Sequence, residues 1–127
     1  MLLGAVSGLG AAEEEIRGSL ALAPDGSPAV KLADGRLVRL EGDKDTVGVI
    51  ADERLRGADF EAVGEFLEPG LFRIGPIHKK SMWIHRNGRR HSISYWCEVC
   101  SIRSYTPGIC WCCQEETELD LREAGDQ

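Results

Sequence analysis

Five cysteines constrain this chain more than any other feature, because all of them fall between Cys97 and Cys113. Cys97-Glu-Val-Cys100 is followed by nine residues and then by Cys110-Trp-Cys112-Cys113. With Cys113 as the partner of Cys110, these are two C-x-x-C elements. Thiols spaced this way face one ion when the chain turns tightly, and two such turns brought together make a closed tetrahedral site. Zn²⁺ suits it, having no geometric preference of its own beyond ligand packing. The ligands are then Cys97, Cys100, Cys110 and Cys113, with Cys112 or His91 as a substitute. Four thiolates also hold iron or an Fe–S cluster, which would make an electron-transfer or thiol-redox protein. In an oxidising compartment the same residues would form disulfides and leave one thiol over. No C-x-x-C-H occurs, so covalent haem attachment is not expected.

The Thr106-Pro107-Gly108 turn predicts that Ser101–Tyr105 and the run from Ile109 pair antiparallel and bring the cysteine elements together. This part of the chain resembles the zinc-ribbon and rubredoxin-like knuckle class. The resemblance covers about seventeen residues, Cys97 to Cys113, and implies a structural metal. It departs from that class in two ways. A small residue, often glycine, usually follows the second cysteine, whereas Ser101 and Gln114 stand there, and Cys112 is an extra thiol. The run from Tyr95 to Arg122, with Tyr-Thr-Pro-Gly and Cys-Cys-Gln-Glu-Glu-Thr, also resembles the tail of small uncharacterised bacterial proteins, which carries no function over.

The remainder reads as short strands separated by turns. Ile16, Leu20 and Leu22 share one face of a strand near 15–22. Ala33-Asp34-Gly35, with a left-handed glycine, sets Val30 opposite Val38 and keeps both on a buried face. Val47 and Val49 suggest a fourth strand. Asp52 to Gly57 has the cap and stop of a short helical turn. Phe60, Ala62, Gly64 and Phe66 alternate, Pro69-Gly70 turns the chain, and Phe72 and Ile74 begin another strand. Asn87-Gly88 predicts a two-residue hairpin pairing Arg86 with Arg89 and Ile84 with His91. That register puts Met82, Ile84, His91, Ile93 and Tyr95 on one face, apolar enough to be core, and delivers Cys97 to the same side. Leu119 and Leu121 alternate with polar residues as in a final edge strand.

The expected architecture is all-β: a small OB-like or SH3-like barrel over 13–77, a hairpin and cysteine module over 78–122, and a disordered tail over 123–127. Residues 1–12 carry no charge and end in Gly-Ala-Ala, which reads as a signal-peptide remnant, hence an exported or periplasmic protein. The basic leader is missing, and the alternatives are a frayed terminus and a cytoplasmic protein. No apolar run approaches the ~20 residues that span a bilayer.

Charge is segregated. Residues 1–70 carry seven basic against fourteen acidic side chains, 71–105 seven against one, and 106–127 one against six. The net charge of -6 disfavours nucleic acid as the partner. Single-stranded nucleic acid remains an alternative through the aromatic and basic hairpin. A protein partner is expected on Trp83, His85, Arg86, Arg89, Arg90 and Trp96. No local signature marks a catalytic nucleophile or acid–base pair, and a closed Cys₄ site offers no open position to a substrate. The expectation is therefore a binding or assembly module rather than an enzyme.

Overall fold

The computed structural model of the chain describes residues 13–124; the signal-like segment lies outside them, as do residues 125–127. Strands β1 (Glu14–Leu22), β2 (Pro28–Lys31), β3 (Leu37–Glu41), β4 (Asp59–Glu68) and β5 (Leu71–Ile74) close into a five-stranded barrel in the order β1-β2-β3-β5-β4, with β4 returning to β1. Every pairing in the ring is antiparallel except β3 with β5. Alternation fills the barrel. Ile16 and Leu20 of β1, Phe60 and Ala62 of β4, and Phe72 and Ile74 of β5 all point inward. The β2–β3 register is the expected one, Val30 opposite Val38, and Gly35 has φ 90° in the connecting loop.

One barrel expectation is corrected. Residues 44–50 form a helix, α1 (Lys44–Ile50), rather than a strand. Asp43 caps it, its carboxylate accepting the Thr46 N–H at 3.0 Å. Thr46, Val49 and Ile50, spaced three and four apart, are buried on the barrel, while Val47 faces solvent. Leu22 keeps the parity of Leu20 but is exposed at the turn end of the β1–β2 hairpin, opposite Pro28. Phe66 is also exposed. A register shift follows it in β4, and its ring rests edge-on against Phe72. The short helical turn forms as expected at Glu53–Leu55, capped by Asp52.

Strands β6 (Met82–Arg86) and β7 (Arg89–Cys97) make the expected hairpin, with Arg86 opposite Arg89 and Ile84 opposite His91. Asn87 and Gly88 have φ of 56° and 75°, as a type I′ turn requires. β6 adds to the barrel alongside β4, placing Ile84 opposite Phe60. Met82, Ile84, Ile93 and Tyr95 therefore belong to one core with Phe60 and Phe72. β9 (Glu118–Glu123) pairs with β7 from His91–Glu123 to Trp96–Glu118, and Leu119 and Leu121 pack on the core. Glu123, expected in the disordered tail, is thus part of a strand. Among the described residues, no helix is long and apolar enough to cross a membrane.

Candidate metal centre

β7 ends at Cys97, which is delivered to the buried side by the alternation that buries Ile93 and Tyr95. The chain then turns through Glu98-Val99-Cys100-Ser101 into β8 (Ile102–Ser104), which runs back antiparallel along β7 with Cys97 opposite Ile102. The second turn is built alike. Ile109 bridges Glu116, and Cys110 to Gln114 form the tip between them. This corrects the expectation that 101–105 pairs with the run from Ile109. β6 makes its last pairing with β7 at Ser92, leaving the β7 edge beyond it free for β8, so each cysteine element caps its own hairpin.

The two tips are built on related hydrogen bonds. Ser101 N–H donates to the Cys97 carbonyl (2.8 Å), and Gln114 N–H to the Cys110 carbonyl (2.9 Å). Cys100 N–H donates to Cys97 Sγ and Cys112 N–H to Cys110 Sγ, both at 3.4 Å. Ser101 and Gln114, where knuckles usually carry a small residue, have φ of 55° and 66°. These are cysteine knuckles whose left-handed residues are not glycine.

Together the knuckles bring the Sγ atoms of Cys97, Cys100, Cys110 and Cys113 within 4.8 Å of one another. Cys97 Sγ and Cys113 Sγ lie 3.5 Å apart. Tetrahedral coordination with metal–sulfur bonds of about 2.3 Å requires sulfur–sulfur separations of about 3.8 Å. The cluster brackets that value, so the donor set fits a tetrahedral thiophilic ion. The environment also differentiates the thiols. The backbone N–H groups of Cys113 and Cys112 favour the Cys110 thiolate and lower its pKa to about 7. The neighbouring Cys112 thiol and burial push Cys100 up. For Cys113, the Glu115 backbone favours the thiolate, but burial and the Cys97 and Cys110 thiols outweigh it and raise the pKa. Four crowded thiols resist losing all their protons unless a cation compensates, and a bound metal supplies that charge.

The structure does not bring every candidate to this cluster. Cys112 is exposed beside it and outside the set of four. His91 lies near the far end of β7, where its Nδ1 contacts the Arg89 carbonyl at 3.1 Å. His78 Nε2 bonds the Tyr105 carbonyl. His85 Nε2 contacts Glu61 Oε1 at 2.6 Å, and Arg90 pairs with the same carboxylate while stacking on Trp83, 3.8 Å from the ring centroid. Burial opposes the Glu61 charge, but Arg90 and His85 hold its pKa below the ordinary value. Arg89 pairs with Glu123, and Arg103 with Asp120 while lying over Trp96. Much of the basic hairpin is therefore matched by acids from β4 and β9. Arg86 makes no such pair among the described residues.

Sequence reasoning missed the residues that fix the centre to the barrel. The buried Tyr95 hydroxyl donates to Asp52 Oδ2 (3.0 Å). Arg54 binds Asp52, lies over the Tyr95 ring, and donates to the Thr117 carbonyl at 3.2 Å. Thr117 in turn holds Gly108, at the root of the second knuckle, through its hydroxyl at 2.7 Å. Only the Asp52 cap was visible beforehand. Tyr95 lies 43 residues from Asp52, and Thr117 lies 63 from Arg54, where no local spacing marks them. Comparison of the chain with protein-family models, curated proteins and solved structures finds no match.

Proposed function

We propose that Cys97, Cys100, Cys110 and Cys113 hold one zinc ion structurally, and that the protein is a binding or assembly module rather than a catalyst. The observation that carries this reading is the convergence of four thiols within 4.8 Å on two like-built knuckles. Backbone N–H donors to sulfur favour thiolates, which are the form a metal takes. A site with four protein ligands has no open position, so the ion would clamp two hairpins and take no part in chemistry. A folding role for the ion is supported by the core, which includes no residue of β8 or of the second knuckle. Of the two barrel types expected, the closed five-stranded order with α1 between β3 and β4 supports the OB-like one.

Elemental analysis and visible absorption of protein purified without chelator test the reading. About one zinc per chain and no visible band is expected. Iron with thiolate charge-transfer absorption would replace it with electron transfer, and metal-free protein containing disulfides would refute metal binding altogether.

A further inference from the structure

Each knuckle turns its cysteines inward, so the residues between them must point out. Those residues include Val99 and Trp111, 71% and 77% exposed, with Ile109 beside them at 61%. They are the three most exposed large apolar side chains among the described residues, and they sit on adjoining tips. The geometry of a knuckle accepts any side chain there. A tryptophan facing water has no structural task in this position. The contrast with the other two is direct: Trp83 and Trp96 each lie under an arginine, whereas Trp111 has no ring or cation partner among the described residues.

The residues that flank this patch along the chain, its rim, are acidic. Glu98, Glu115 and Glu116 are exposed, and none forms an ion pair among the described residues. Phosphate would be repelled by that rim, which argues against nucleic acid. A second copy meeting the same surface would set glutamates against glutamates, and the chain as a whole is at -6. Charge complementarity selects a cationic partner, and the exposed tryptophan selects one with an apolar side chain to cover it.

We infer that the knuckle tip formed by Val99, Ile109 and Trp111 is a docking surface for a basic protein segment bearing an apolar anchor. The inference rests on the proposed metal reading insofar as the metal holds the two tips together. A short fluorescein-labelled peptide of lysine, arginine and leucine is the probe, read by polarisation against the full chain. Two control peptides replace leucine by serine, or the basic residues by glutamate.

The leucine-containing basic peptide should bind, more weakly as salt rises, and both controls at least about 10-fold more weakly. Trp111→Ser should weaken binding about 30-fold or more, as expected of an anchoring aromatic. Glu98→Gln with Glu115→Gln should weaken it several-fold and flatten the salt dependence. Arg86→Ser should leave it unchanged. Metal content is measured on every sample. Metal-free wild-type protein overturns the zinc reading, whereas metal-loaded wild type that ignores the peptide overturns the docking surface. Equal binding by Trp111→Ser, or preference for a single-stranded oligonucleotide over the peptide, overturns it too.

Discussion

Replacing Asp52 by alanine removes the joint between the barrel and the cysteine module. Its side chain is 6% exposed and accepts from the Arg54 backbone N–H (3.0 Å), the Arg54 guanidinium (3.0 and 2.9 Å) and the Tyr95 hydroxyl (3.0 Å). Hydrogen bonds to a charged group contribute about 1.5–3 kcal/mol each, a lost cap costs about 1 kcal/mol, and such terms overlap heavily. Stranding the fully buried Tyr95 hydroxyl adds to the loss. We expect Asp52→Ala to destabilise by about 3 kcal/mol, and Tyr95→Phe by about 1 kcal/mol. In the double variant the stranded hydroxyl is gone, so the combined loss should fall short of the sum by about 1 kcal/mol or more.

Urea unfolding measures all three. With an m-value of about 1.5–2 kcal/mol/M, the Asp52→Ala midpoint should move down by about 1.5–2 M. The effect carries a pH signature. Burial favours the neutral acid, but Arg54 and Tyr95 outweigh it and hold the Asp52 pKa below its ordinary value. A depressed carboxylate contributes fully above the unfolded pKa of about 3.9 and loses that contribution as pH falls through the folded pKa. The gap between wild type and Asp52→Ala should therefore be constant from about pH 5 to 7 and narrow below about pH 4. A gap under about 0.5 kcal/mol at neutral pH, or one that does not narrow in acid, would refute this joint.

Four further substitutions test particular backbone or buried positions. Ser101→Gly and Gln114→Gly should each stabilise the metal-loaded protein by about 0.5–1 kcal/mol, read by thermal melting, because both positions need positive φ. Thr46→Val should be neutral to stabilising by about 1 kcal/mol in urea, because the buried Thr46 Oγ1 has no hydrogen-bond partner among the described residues. Gly64→Ala should cost about 3 kcal/mol or abolish soluble expression, since a Cβ there would collide with the Arg73 carbonyl across the β4–β5 pairing.

The parts of the fold that were legible in the sequence are those set by neighbours along the chain. Asn87-Gly88 encodes its own turn, and Val30–Val38 follows from loop length and a buried face. The helix at Lys44–Ile50 was hidden because Gly48 weakens helix propensity and Val47 and Val49 share a strand's parity. The parallel β3–β5 pairing has no local signal, since the segments between them include a helix and all of β4. At the site, cysteine spacing identified the four converging thiols. It did not reveal how the knuckles hang on the sheet, because β8 follows the edge that β6 leaves free on β7. Nor did it reveal that Glu61 and Asp120 neutralise Arg90 and Arg103, since those pairs join residues 29 and 17 apart.

The most direct test of the zinc clamp is a map of thiol reactivity. Anaerobically purified protein would be alkylated before and after metal removal by chelator, and each cysteine scored by peptide mass spectrometry. The account predicts that only Cys112 reacts in the metal-loaded protein, and that Cys97, Cys100, Cys110 and Cys113 become reactive together once the metal leaves. Protection of Cys112 in place of one of those four, or four cysteines that stay unreactive until reduced, would contradict it.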